Sequence, residues 1–422
     1  MKDVVIVGGG VAGIYAAYKS ASSGNNVKLI EASSKLGGRI NSRVDSISGD
    51  SIDNGQHLLV GAYHSFIELL KFIGTYDLIE YQEKFFVKYY SKNGPFSLQQ
   101  KLPGQLGMLT ALMKLDQVSF SSKIKAIQFV AKIRTNRIKS KGKTCFQLLK
   151  DENQGDDMVK VLWEPLILAT INTSIQEADA FVFTEVLRLA FFADRKNGKL
   201  IFPKEGLNDL IDPFTQKFEL IGGEVLFNTS IKSFERANNK WRLELTKSRN
   251  LDCDELILAI PPHKIEKLEN EINIPDFTYS PIISVYLWYD KDFMDEIIAA
   301  LLDTKTQWVF NKRKLGFQNG KDKFPGYLTC TISAADDIIK KSSKEIADIC
   351  DSELKSYFKA DSNLLHYKVI KEAKATINQN LKSSQERMNF KSSEPNLKFV
   401  GDWIWTSLPC TIESACRSYD VE

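Results

Sequence analysis

Residues 4–13 read Val4-Val5-Ile6-Val7-Gly8-Gly9-Gly10-Val11-Ala12-Gly13, and Val27-Lys28-Leu29-Ile30-Glu31 comes soon after. The β-branched run Val4 to Val7 predicts a fully buried strand, and Val11 to Ser22 a helix stopped by Gly24-Asn25-Asn26. Val27 to Ile30 then predicts a second strand. A βαβ unit this short joins parallel strands and begins a doubly wound sheet, so the expected fold class is α/β with a Rossmann-like domain. The glycines have separate jobs: a tight turn at Gly8, close approach of backbone to a pyrophosphate at Gly10, and helix-on-strand packing at Gly13. The helix start at Val11 and Ala12 offers free N–H groups and a positive dipole end to phosphates. Glu31 stands where a carboxylate can accept from ribose hydroxyls, and Ala32 beside it belongs to the same expected dinucleotide site.

Moving outward, Glu224 to Phe227, Ile231 to Phe234 and Trp241 to Thr246 suggest a small antiparallel set with Asn238-Asn239 at one turn. Ile231 is expected to touch the cofactor. Glu255 to Ile260 is another buried strand, ended by Pro261-Pro262, and Leu397 to Val400 is ended by Gly401-Asp402. The expected nucleotide-binding domain is therefore discontinuous, from residues 1–60, 200–262 and 393–422. A second, α+β domain for the substrate would take 61–199, mostly helical by pattern, and 263–392. The latter mixes strands at Ile282 to Tyr289, Gly326 to Ser333 and Tyr367 to Ile377 with a helix near Lys344 to Tyr357.

Composition narrows the class. A chain of 422 residues that is 43% hydrophobic and 26% charged is neither disordered nor collagenous. Lys plus Arg at 56 against Asp plus Glu at 53 is too balanced to mark a nucleic-acid binder. The longest apolar stretches, such as Pro281 to Tyr289, are too short to span a bilayer. Asp3 and the glycine cluster make the N-terminus a poor signal peptide. Six cysteines without a C-x-x-C pair and only four histidines leave little for a metal site. Reduced, buried thiols and a cytoplasmic location are expected.

Leu36-Gly37-Gly38-Arg39, which a nicotinamide dehydrogenase has no evident need for, resembles the G-G-R element of FAD-dependent amine oxidases and phytoene desaturases. The resemblance implies FAD, with Gly37, Gly38 and Arg39 near pyrophosphate and flavin, where a guanidinium can pair a phosphate bidentately. Asn396 to Asp402 resembles the second FAD motif of that superfamily. This implies Gly401 and Asp402 at the ribityl or pyrophosphate part. Thr411-Ile412-Glu413 starts a last helix whose positive end, in that superfamily, faces the flavin C2 carbonyl.

Asp53-Asn54-Gly55-Gln56-His57-Leu58-Leu59-Val60-Gly61-Ala62-Tyr63 is similar to a stretch of the hydroxysqualene dehydroxylases, or squalene-associated FAD-dependent desaturases. So are Trp163-Glu164-Pro165-Leu166 with Ile171-Asn172-Thr173, Ser280-Pro281-Ile282, Gln307 to Phe310, and Trp403 with Leu408 to Glu413. Ser414 and Tyr419 stand where that family has glycines, and Ala373 and Lys374 where it tends to have two basic residues. Relatives continue beyond the position of Glu422, so a short last helix with a weaker dipole is expected.

The resemblance implies reduction of hydroxysqualene to squalene in squalene and hopanoid synthesis. The allylic hydroxyl leaves as water and hydride comes from reduced flavin. Such a reaction needs a long apolar slot, a proton donor and exclusion of water. His57 is the leading acid, with Gly55 and Gln56 beside the flavin; Asp53, Glu164 and Tyr63 are weaker candidates. Aromatic rings can shield a cation, and Phe85, Phe86, Tyr89, Tyr90, Phe181, Phe183, Phe191, Phe192, Tyr286, Trp288 and Trp308 are available. Ser121 to Lys143 predicts a basic amphipathic helix that could rest on anionic lipid, giving a peripheral contact on the inner face of the cell membrane. The reductant would be NAD(P)H or a separate reductase. Rival readings are a carotenoid desaturase, an amine oxidase, and a flavin-binding scaffold without turnover in a squalene-making complex.

Overall fold

Asp3–Val7 lies at the centre of a five-stranded parallel sheet ordered Glu224–Leu226, Asn26–Ile30, Asp3–Val7, Glu255–Leu258, Leu397–Phe399. The structure, a computed structural model, describes residues 1–100, 104–190, 196–246, 249–268, 272–392 and 394–421. The central strand is apolar from Val4 onward because both of its faces are covered. Val4 and Ile6 pack with Ile14, Ala16 and Ala17 of the helix Val11–Ser22. Val5 and Val7 pack on the other side with Phe234, Leu243 and Leu256. The helix sits tight on the strand because a Cβ at Gly13 would lie 1.9 Å from the Gly8 carbonyl oxygen.

The layer over Val5 and Val7 is an antiparallel meander of Ile231–Ala237, Lys240–Leu245 and Arg249–Cys253. Asn238 and Asn239 turn between its first two strands with φ of 49° and 68°. The predicted membership of this set is corrected in one place. Glu224–Leu226 follows the helix Phe214–Leu220 and adds in parallel to the edge of the main sheet, while Arg249–Cys253 completes the meander. That last strand is mostly polar, with too few apolar residues to signal itself.

A seven-stranded sheet runs in the order Leu364–Ile377, Tyr279–Tyr289, Gly326–Ser333, Trp308–Asn311, Ile298–Leu301, Phe86–Ser91, Gly94–Gln99. The last two strands lie in a stretch whose pattern is mostly helical. Pro281 is tolerated inside a long strand because the pairing with Leu364–Ile377 bulges there. One face of the sheet is covered by the helix Ser343–Phe358 through Ile346, Cys350 and Leu354. The other faces the helices Phe120–Arg134, Glu164–Ile171 and Ala180–Arg188. All six cysteines are free and buried. No helix of the described residues is long and apolar enough to cross a membrane.

Candidate active site

The C-terminal ends of the parallel strands open into one cavity of about 1680 Å³ that continues between the seven-stranded sheet and its helices. A single-ligand pocket usually holds roughly 300–1,000 Å³, so there is room for a dinucleotide and a second long molecule. Gly8, Gly10, Val11, Ala12 and Glu31 line one end. Gly10 caps the first helix and has no side chain to satisfy its free N–H groups. A Cβ placed on Gly10 would meet no protein atom within 4 Å, so its α-carbon faces open space. Glu31 is fixed by N–H donors from Gly9 and Ser33, both at 2.8 Å, and still borders the cavity. Unsatisfied donors around a glycine-floored hollow, with an acid at the far lip, fit a dinucleotide. Ala32 does not line the cavity, and Ile231 is buried under the strands with Phe234 and Trp241. The contacts expected of these two are not supported by where their side chains lie.

Arg39 has a protein partner at the cavity. Its guanidinium forks onto Asp402, with Nη1 to Oδ2 at 2.8 Å and Nη2 to Oδ1 at 2.6 Å. Nη1 also donates to the Ala375 carbonyl at 2.8 Å. Gly37, Gly38, Arg39, Gly401 and Asp402 all border the cavity, so the two predicted motifs meet there. Thr411 caps the short helix Ile412–Arg417 by accepting from the Ser414 N–H. Glu413 does not turn its carboxylate to a ligand. It accepts the N–H groups of Ser65 and Phe66, both at 3.1 Å, tying this helix to His64–Ile73.

The stretch Asn54 to Val60 lines the cavity. Asp53 holds it from behind, fully buried, and does not reach the cavity. Its Oδ1 accepts from Ser42 Oγ at 2.7 Å and the Leu207 N–H at 3.0 Å, and Lys312 Nζ lies 3.6 Å from Oδ2. Deeper still, Arg313 pairs with Asp50 at 2.7 Å, and Trp288 Nε1 donates to the same carboxylate at 2.8 Å. His57 faces the cavity with Nδ1 2.8 Å from the Gly55 carbonyl oxygen. That carbonyl can only accept, so Nδ1 carries the proton and Nε2 is left with its lone pair. Burial lowers the His57 pKa below its ordinary value. Tyr63 also borders the cavity, and burial pushes its phenol up to about 12, with Thr411 as hydrogen-bond partner.

Beyond His57 the cavity becomes an apolar slot. Phe85, Tyr89, Trp308 and Phe310 come from the sheet side, and Leu112, Ile127, Val130, Leu162 and Leu166 from the helices. Phe86, Tyr90, Phe181, Phe183, Tyr286 and Trp288 do not line it; Phe191 and Phe192 lie outside the described residues. The Trp163-Glu164-Pro165-Leu166 stretch has a structural reason here. Val159–Trp163 is a π turn before a proline, which lacks the N–H a regular helix needs. It sets Leu162 and Leu166 on the slot and buries Trp163, whose Nε1 donates to Gln154 at 2.9 Å. Glu164 stays outside the cavity, near Lys160 and Asp303, so it is no proton donor to a ligand in the slot. The predicted basic helix ends at Arg134; its Ala126, Phe129 and Ile133 are core, and Ile127 and Val130 are slot wall. Most of the apolar face that a lipid surface would need is therefore used inside the protein. Glu372 to Ile377, including Ala373 and Lys374, also border the cavity.

A doubly wound sheet that ends in a dinucleotide cradle and opens into an apolar slot defines a flavin-dependent oxidoreductase. The chain belongs to the flavin containing amine oxidoreductase family, whose model matches residues 11–418. Its cofactor is FAD. It is 26% identical to the hydroxysqualene dehydroxylase of Zymomonas mobilis across 98% of this chain and 96% of that one. It is 22% identical to the 15-cis-phytoene desaturase of an Oncidium hybrid cultivar across 87% of this chain and 68% of the other. An oxidoreductase from Methanosarcina mazei has the same fold, with a TM-score of 0.76, 14% identity and 99% of both chains covered.

Proposed function

We propose that the protein reduces hydroxysqualene, or a similarly long allylic isoprenoid alcohol, to the corresponding hydrocarbon. The observation that carries this reading is that the apolar slot and the dinucleotide cradle are one continuous cavity, with His57 among the residues that line it. Residues 1–60, 200–262 and 393–422 would serve the flavin, and 61–199 and 263–392 the substrate. The alcohol takes up one proton and one hydride and releases water. Reduced FAD supplies the hydride. The slot walls exclude bulk water from the cation that forms as the hydroxyl departs.

His57 is the group best placed to hold the proton. With Nδ1–H fixed on Gly55, protonation has to occur at Nε2, the nitrogen left free to reach a ligand. Tyr63 stays a neutral phenol at every physiological pH and is hydrogen-bonded with Thr411 at the cavity. The likeness to phytoene desaturases supports a second reading, in which oxidised flavin takes hydride from a polyene. An anaerobic single turnover separates the two. Reduced protein mixed with hydroxysqualene should return the oxidised flavin band together with squalene. A flavin that stays reduced, with the alcohol recovered unchanged, would overturn the proposal.

A further inference from the structure

We infer that Lys312 is a positioning residue for the flavin, holding the Gln56 amide oxygen so that the one amide N–H not taken by the His57 carbonyl is left for the cofactor side. Lys312 comes from the turn after the strand Trp308–Asn311 and its side chain is 2% exposed. Its ammonium is surrounded on three sides. Nζ donates to Gln56 Oε1 at 3.1 Å, lies 3.6 Å from Asp53 Oδ2, and sits 3.7 Å from the centre of the Phe317 ring.

An ammonium has donors and no acceptor, so Gln56 can only present its oxygen to Lys312. The amide nitrogen is thereby turned the other way. One of its N–H groups reaches the His57 carbonyl at 3.3 Å, and Gln56 itself borders the cavity. Without Lys312 the amide is free to flip and offer an acceptor instead. Reduced flavin is more negative than oxidised flavin, so a donor stabilises it more and raises the potential. Burial works against the Lys312 charge and Asp53 supports it, which accounts for a carboxylate directly behind a flavin-facing loop.

This inference rests on the flavin and not on the identity of the substrate. Removing Lys312 alone would leave Asp53 buried and uncompensated, which is costly to folding. The informative variant is therefore Asp53→Asn with Lys312→Met, which removes both charges together, compared with the parent. Bound flavin and its two-electron midpoint potential are the readouts. Flavin should be retained while the equilibrium constant for its reduction falls about tenfold, or roughly 30 mV for a two-electron couple. Gln56→Met should give the same fall, and adding it to the double variant should change nothing further. An unchanged potential in the double variant, or a fall that adds to that of Gln56→Met, overturns the inference. Gln56→Glu leaves the buried pair intact and serves should the double variant lose flavin. It turns an acceptor toward the cofactor and should lower the potential by more than Gln56→Met; no fall would equally overturn it.

Discussion

The guanidinium of Arg39 and the carboxylate of Asp402 bind each other at two points, across 363 residues of sequence. Two motifs that each suggest the same cofactor are thus halves of one structure. The first arrives with the turn after the second strand, the second with the last strand of the parallel sheet. Lysine has one point charge and cannot make the fork. Arg39→Lys should therefore loosen the cradle more than it destabilises the fold. The Arg39 side chain is 45% exposed, so the pair contributes only about 1 kcal/mol to stability after solvent screening. Flavin content after gel filtration should fall sharply while the melting temperature moves by a few degrees. Full flavin retention would mean that the pair is structural only.

Two glycines of one motif make opposite predictions. A methyl on Gly13 would press into the Gly8 carbonyl oxygen at 1.9 Å, with Ala259 Cβ at 3.1 Å, and the Gly8 backbone cannot yield that far. Gly13→Ala should fold poorly with or without flavin. A methyl on Gly10 would meet no protein atom and would stand in the cavity. Gly10→Ala should melt within about 0.5 kcal/mol of the parent as apoprotein, yet bind FAD at least tenfold more weakly. Apoprotein melting and flavin titration of the two variants test the cradle without any substrate.

The His57 prediction concerns pH. Its folded pKa lies below the 6.5 of a free histidine, because burial disfavours the charged ring. Between the two values the unfolded chain binds more protons than the folded one, so stability rises with pH across that window. The contribution is complete above 6.5 and is lost as pH falls toward the folded value. His57→Gln should therefore flatten the drop in melting temperature between neutral and mildly acid buffer. In turnover the sign reverses. If the imidazolium is the proton donor, the rate rises as pH falls and levels off only below the folded pKa, which lies under 6.5, and His57→Gln keeps its flavin but loses roughly 100-fold or more in rate. A variant with normal turnover would remove His57 from the chemistry.

Much of this was legible in the sequence, for identifiable reasons. Val4 to Val7 and Glu255 to Leu258 sit in strands covered on both faces, so they appear as nearly unbroken apolar runs. The glycines and Asp402 serve geometry that few other residues could provide. Other features were hidden because they depend on contacts far apart in the chain. Nothing in the order of residues shows that Asp53 meets Lys312, or that Glu413 accepts the N–H groups that open a helix at His64. Both look like free carboxylates until the fold brings their partners in. The slot was hidden for another reason: Ile127, Val130 and Leu166 look like any core residue, and only the helix directions reveal which of them border empty space. The basic helix is ambiguous in the same way, since an apolar face in sequence can meet lipid or protein, and here Ala126, Phe129 and Ile133 meet protein while Phe120 and Ile124 are exposed.

The slot also carries the final prediction. Ala131 is exposed on the helix Phe120–Arg134 and borders the cavity with Ile127, Val130 and Arg134. Being exposed, it should accept a larger side chain with little effect on folding. Side chains on a helix lean toward its N-terminal end, so a tryptophan here leans over Ile127 and narrows the opening between this helix and the sheet. Ala131→Trp should keep full flavin and reduce normally with dithionite, whose small anions need no apolar route. With hydroxysqualene, kcat/KM should fall at least tenfold if the proposed long isoprenoid substrate enters past Ala131. Equal efficiency in the variant and the parent would show that the long substrate enters elsewhere, and would move the search to the side of the cavity lined by Glu372, Ala373 and Lys374.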